Sequence, residues 1–267
     1  GEGGVITRAD VEAAAAGTSY DVAAMATSSY DVAGQRETRE PIKGVRKMMA
    51  GAMVGSAFSA PHVTEWITVD VTETTRLVQR LKQHREFRDV KVSPLLVLAR
   101  ACTIAMRRTP IINSWWDEDA QEVVMKGYVN LGIAAATPRG LVVPNIKDAE
   151  AMSLLELATS LNELTSVAKQ GKTQPADMAG GTFTITNVGV FGVDAGTPII
   201  NPGESAILCF GATNKRPWVD EHGELCVRDV CTLALSFDHR HIDGEAGSRF
   251  LADVAGLMSD PATALMF

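Results

Sequence analysis

Apolar positions along the chain fall into two periods. Residues 42–58 place Ile42, Val45, Met48, Met49, Ala52 and Met53 at helical spacing, and residues 62–71 alternate with β-branched side chains. The first pattern predicts a helix and the second a strand. A polar helix is expected over about 73–86. Ser93-Pro94 then opens another, running to about Arg108, with serine at the N-cap and proline at the first helical position. Its body, Leu95 to Met106, is apolar nearly all round except at Arg100 and Thr103. Such a helix belongs inside a large core. Strand-like runs follow at 121–125 and 128–136, and at 141–146 after the turn Thr137-Pro138-Arg139-Gly140. An amphipathic helix is expected at 153–169, strands at 182–187, 205–211 and 225–237, and a last helix over about 245–259. Helices and strands do not alternate strictly. The order predicts an α/β fold of the α+β two-layer kind, a mixed or mostly antiparallel sheet with helices packed on it.

The N-terminal region reads differently. Val5 to Ala16 reads as one short helix, with Thr7 expected as its N-cap and Gly17 at its end. Twelve residues cannot make a core, so residues 1–16 read as the remnant of another module and Gly1-Glu2-Gly3-Gly4 as the cut end of a longer chain. Residues 17–38 are rich in Ser, Thr and Ala, with Ser-Tyr-Asp-Val-Ala at 19–23 and again at 29–33. Two copies do not make a repeat architecture, and the segment reads as a linker. Residues 39–267 form the compact domain.

Composition narrows the function classes. The 267 residues are 46% apolar and 21% charged, enough to bury a core without staples. A net charge of −7 argues against nucleic acid as a partner. No apolar run reaches membrane-spanning length, and no signal-peptide layout opens the chain. Cys102, Cys209, Cys226 and Cys231 form no Cys-x-x-Cys pair, and three lie in apolar runs. They read as reduced, buried small hydrophobes in a reducing, cytoplasmic compartment.

Two segments carry candidate chemistry. Ser236-Phe237-Asp238-His239-Arg240-His241-Ile242-Asp243-Gly244 joins a strand to a helix. A rigid junction of this kind often presents a catalytic side chain, and histidine is the usual proton shuttle near neutral pH. His239 is the candidate general base, with Asp243 four positions on to brace the loop. His239, His241 and Asp243 alternate, but nothing in the sequence adds further ligands, so no metal is expected. The second segment, Gly180 to Gly192, runs a strand into a glycine-punctuated turn. Thr186 and Asn187 sit where they can donate hydrogen bonds to an oxyanion. Neither a phosphate-binding P-loop nor a dinucleotide fingerprint is present.

The motif Asp238 to Gly244 resembles the active-site motif of the dihydrolipoamide acyltransferases of 2-oxo acid dehydrogenase complexes. The resemblance extends from Pro41 to Phe267 through Pro61-His62-Val63-Thr64, Thr137 to Pro144, Thr182 to Gly189 and Thr197-Pro198-Ile199-Ile200-Asn201-Pro202. Gly3 to Val11 resembles the end of the peripheral subunit-binding domain of these proteins; their lipoyl domains have no counterpart here. The resemblance implies a chloramphenicol-acetyltransferase-like fold and homotrimers with active sites between subunits. It further implies a hollow core, often of 24 chains, that binds decarboxylase and dihydrolipoamide dehydrogenase components. CoA and a lipoyl group carried on a separate domain are the implied substrates. His239 is then the base, Thr186 the oxyanion donor and Asp243 the brace, with Arg46 suggested as its arginine partner. Ser93, Asn187, Gly211, Thr213 and Val190 are the implied CoA contacts, and His241 is a spacer. Val188 to Gly196 is more similar to branched-chain or broad acyl-specific bacterial members than to succinyl-specific ones. Acetyl-specific and succinyl-specific cores, a scaffold with vestigial activity, and a free-standing acetyltransferase are the alternatives. The apolar end, Pro261 to Phe267, is expected to lodge in a neighbouring trimer.

Overall fold

The longest strand organises the molecule and ends at the candidate base. In the computed structural model, which describes residues 37–137 and 140–267, strand β11 runs Leu225–Asp238. The expected binding-module remnant (1–16) and nearly all of the linker (17–38) lie outside the described residues, as do Pro138 and Arg139. One compact unit covers Lys43–Phe267.

Along the chain, helix α1 (Gly44–Ser59) precedes β1 (His62–Asp70), α2 (Thr72–Gln83) and α3 (Pro94–Ala105). Strands β2 (Ser114–Asp117), β3 (Glu122–Met125), β4 (Leu131–Ile133), β5 (Ala135–Thr137), β6 (Gly140–Val142) and β7 (Asn145–Ile146) follow. Then come α4 (Leu154–Lys169), the short α5 (Pro175–Met178), β8 (Phe183–Asn187), β9 (Ala206–Phe210), β10 (Asn214–Val219), β11 and α6 (Gly244–Ser259). A 3₁₀ turn, Pro261–Met266, follows α6.

The main sheet has the order β1-β11-β9-β8-β4-β7, with β10 paired to β11. It is mixed. β8 is parallel to both β4 and β9, and the remaining pairs are antiparallel. This agrees with the expected two-layer arrangement. Helix α3 packs against α2, α4 and α6 and buries Leu96, Leu98, Ala99 and Cys102, as its all-round apolar sequence requires. Helix α4 starts at a capping box in which Ser153 and Glu156 satisfy each other's backbone N–H groups. All four cysteines are free thiols; Cys102, Cys209 and Cys231 are buried and Cys226 is half-buried. Burial pushes the Cys231 thiol up to about 12. No helix among the described residues is long and apolar enough to cross a membrane.

Several elements differ from expectation. The run 128–136 is two strands, because the chain leaves the main sheet at Ala134. There Ile133 N–H reaches Pro144 O and Ala134 N–H reaches Ile185 O, after which β5 and β6 form a separate ribbon. Strand β10 lies in a stretch to which the sequence reading assigned no element; pairing to β11 imposes extended backbone on it. Strand β2 at Trp115-Trp116 was likewise unread.

β11 and α6 are locked together at one glycine. A Cβ on Gly247 would sit 2.5 Å from Cε1 of the fully buried Phe237 ring. Gly247→Ala should therefore destabilise the fold by about 1–3 kcal/mol through overpacking. An unchanged denaturation midpoint would show that the ring yields without cost.

Candidate active site

The turn after β11 is tied at nearly every residue. Asp238 N–H donates to Ser205 O (2.9 Å) and His239 N–H to Pro61 O (2.9 Å). Ile242 N–H returns to Asp238 O (3.1 Å), and the Ile242 side chain is fully buried. Asp243 caps α6 by accepting from Ala246 N–H at 2.8 Å. Its carboxylate thus fixes where the helix begins, which is a brace on the turn. Among the described residues no ion pair to Asp243 is seen within one chain.

His239 is the exception. Its side chain is exposed and makes no hydrogen bond among the described residues; its ring lies 5.9 Å from that of Phe237. Backbone constraint with an uncommitted imidazole suits a proton carrier.

His241 is no spacer. Its side chain is 4% exposed, and Nε2 lies 3.0 Å from both Ser114 Oγ and Ser205 Oγ. The Ser205 hydroxyl donates to Ser114 O and the Ser114 hydroxyl to Ile111 O, each at 2.7 Å. Both hydroxyl oxygens therefore accept from His241, which assigns the proton to Nε2 and leaves Nδ1 buried without a partner. Burial holds this imidazole below the usual histidine range, opposed by the Asp238 carboxylate. No local motif signals this network, since Ser114 and Ser205 are distant in the chain.

His62 is similarly structural. Its Nδ1 lies 2.7 Å from Ala60 O, and Nε2 accepts from Ile200 N–H at 3.0 Å, tying β1 to the segment that crosses in front of it.

Thr186 is half-buried near the end of β8, and its hydroxyl has no hydrogen-bond partner among the described residues. It stands opposite Cys209, which stands opposite Ala234 of β11. His239 is five residues beyond Ala234. At strand spacings this places the Thr186 and His239 backbones about 20 Å apart within one chain. A single chain does not bring the two together.

The other expected contacts gather beyond β8 and β9. Val188 N–H bonds Phe210 O, and a Cβ on Gly189 would collide with the backbone of the buried Gly211. This close approach groups Asn187, the exposed Val190 and the exposed Thr213 around one pair of glycines. Ser93 is at the N-cap of α3 but makes no capping hydrogen bond, so its hydroxyl is uncommitted at the positive end of a helix.

Two cavities, of about 580 and 550 Å³, open beside α1 and share Ala52, Trp115 and the stretch Asn201 to Glu204. Trp115, Trp116, Asp238 and Arg240 line the first; neither is lined by His239 or Thr186. Among the described residues no three His, Cys, Asp or Glu side chains are grouped to hold a metal.

Comparison with known proteins agrees with this architecture. The family described as 2-oxoacid dehydrogenases acyltransferase (catalytic domain) matches residues 34–266. The acetyltransferase component of the pyruvate dehydrogenase complex of Bacillus subtilis is 40% identical over 230 residues, 86% of this chain and 52% of that protein. The chain thus spans about half the length of this relative. Dihydrolipoamide acetyltransferase of Azotobacter vinelandii, investigated for the role of a serine, a histidine and an asparagine in its catalytic mechanism, is 34% identical. It superposes with a TM-score of 0.81 over 89% of this chain and 98% of that one. The cubic core of a pyruvate dehydrogenase multienzyme complex gives the same TM-score at 33% identity. Chloramphenicol acetyltransferase, 14% identical with a TM-score of 0.52 over 83% of this chain and 99% of that one, shares the fold. The chain belongs to the catalytic-domain family of the 2-oxoacid dehydrogenase acyltransferases.

Proposed function

We propose that the protein transfers an acetyl group between CoA and a dihydrolipoyl thiol, as the core of a 2-oxo acid dehydrogenase complex. His239 of one copy and Thr186 of another make the site. The observation that carries this reading is the contrast at the strand ends: in a turn where its neighbours are bonded, only the His239 imidazole is free and exposed. Support comes from the Azotobacter enzyme, whose histidine and asparagine stand four positions apart, as His239 and Asp243 do.

The chemistry follows from these groups. The His239 imidazole takes the proton of the CoA thiol, whose pKa should be about 8.5 by analogy with cysteine. The thiolate adds to the thioester carbonyl, and the Thr186 hydroxyl donates to the resulting oxyanion. Collapse of the tetrahedral species expels the dihydrolipoyl thiolate, which recovers the proton from the imidazolium. Asp243 keeps the turn in place. Ser93 and the Asn187–Val190–Gly211–Thr213 group hold CoA, with the α3 N-terminus favouring its phosphates.

Acetyl is preferred over the branched-chain group first expected from Val188 to Gly196, because the named relatives are pyruvate-complex acetyltransferases. Trimers assembled into a larger core, with decarboxylase and dihydrolipoamide dehydrogenase bound and the whole in a bacterial cytoplasm, complete the reading. The C-terminus supports assembly. Phe267 folds back under the Arg108 guanidinium, while Leu265 is 92% exposed and offers an apolar contact to a neighbour.

A panel of acetyl-, isobutyryl-, isovaleryl- and succinyl-CoA with dihydrolipoamide tests the proposal. Acetyl-CoA should give the highest kcat/KM. A preference for isobutyryl- or isovaleryl-CoA would restore the branched-chain assignment, and absence of transfer from any donor would end the acyltransferase reading.

A further inference from the structure

The two residues flanking His239 are bonded to each other more heavily than a turn requires. Asp238, its side chain 3% exposed, accepts Arg240 N–H on Oδ1 at 3.0 Å. It also grips the guanidinium with both oxygens, Oδ1 from Nε at 3.0 Å and Oδ2 from Nη2 at 2.7 Å. The chain is thus closed into a ring around residue 239. Outside the ring, the guanidinium lies 4.9 Å over Trp116 and Nη1 reaches Glu118 Oε2 at 3.4 Å. Inside it, the neutral His241 packs its ring 5.8 Å from Trp116 and directs its bare Nδ1 toward Asp238 Oδ2, 4.0 Å away.

We propose that Asp238 and Arg240 form a clamp, seated on His241, that sets the direction of the His239 imidazole. All three are positioning residues for the proton transfer, and the proposal rests on His239 being the base. The clamp restricts the backbone on both sides of His239. Its buried bidentate pair can be made by arginine and not by lysine, whose ammonium is a point charge. A neutral His241 also matters. A proton on Nδ1 would face Asp238 and compete with Arg240 for its carboxylate.

The test uses the assembled protein with Arg240→Lys, Asp238→Asn and the double variant. Displacing a reacting group by about 1 Å costs roughly 100-fold in rate, so each single variant should lower kcat by about that factor. KM for CoA and for dihydrolipoamide should stay within about two-fold, because the clamp is assigned to orient His239 and not to hold either substrate. The double variant should lose no more than the worse single, since the pair acts as a unit. Crystal structures of the variants should show the His239 ring turned from its wild-type direction. Asp238→Asn keeps the acceptor for Arg240 N–H, so it carries the test if Arg240→Lys does not fold. Near-wild-type kcat, additive losses, or KM rising in step with the fall in kcat would overturn the clamp. If the wild type itself fails to transfer acyl groups, the base assignment falls, and an unmoved His239 ring in the variant structures would overturn the clamp independently.

Discussion

Chains carrying His239→Ala and chains carrying Thr186→Ala, each inactive alone, will regain acyl transfer when the two are co-expressed. Removing the base should cost about 10²–10⁴ in kcat. Removing the oxyanion donor should cost about 10²–10³. The expectation of recovery comes from the sheet. Because β11 and β8 are separated by β9, and His239 lies beyond the end of the paired region, the two groups are about 20 Å apart in one chain. A proton taken at one cannot assist an oxyanion held at the other unless a second copy closes the gap. In a mixed assembly, some sites pair an intact His239 with an intact Thr186. Random mixing of equal amounts restores about a quarter of them, given a cyclic arrangement in which each site draws one residue from each neighbour. Mass spectrometry would verify that the assemblies are mixed. Mixed assemblies as inactive as their parents would mean that the site does not use Thr186 and His239 from different copies.

How far the site was legible in the sequence follows from which parts are local. The strand–turn–helix unit from β11 to α6 was readable because its signals are contiguous: an apolar run, a polar turn and an amphipathic helix. Helices α3 and α4 were readable for the same reason. His241 was misread because its role depends on hydroxyls 127 and 36 positions away in sequence. The distance from His239 to Thr186 was likewise beyond reach, since it depends on strand order and not on any motif. The break between β4 and β5 had a sequence trace in Pro144, whose carbonyl accepts from Ile133 N–H but which can donate no ladder bond in return. Glu204 had a trace too, as an acid set just before Ala206–Phe210, a strand buried at every position.

Glu204 is where pH should act most strongly on stability. The residue keeps some exposure, but its carboxyl group does not. Oε1 accepts from Thr184 Oγ1 at 2.9 Å, Asn201 Nδ2 donates to that same hydroxyl at 2.8 Å, and Oε2 is buried without a partner. Burial pushes this acid up to about 8, against the hydrogen bonds that favour its charged form. The fold therefore holds it neutral at pH 7. In the unfolded chain its pKa is about 4.3. Below that value both states are protonated and the group contributes nothing to pH dependence. Between about 4.3 and 8 the unfolded chain has released a proton that the folded chain keeps, so folding takes one up. Stability must then fall as pH rises through this window, by about 1.4 kcal/mol per unit, and level off above it. Glu204→Gln removes the titration while preserving the shape and the acceptor for Thr184. The variant should match wild type near pH 4 and exceed it at pH 8 by roughly 4 kcal/mol. Guanidinium unfolding of both proteins across this range provides the measurement, with every other titrating group common to the two. Parallel curves would mean that the wild-type carboxyl is already charged in the fold, reached by water or a cation from the cavities that Glu204 lines.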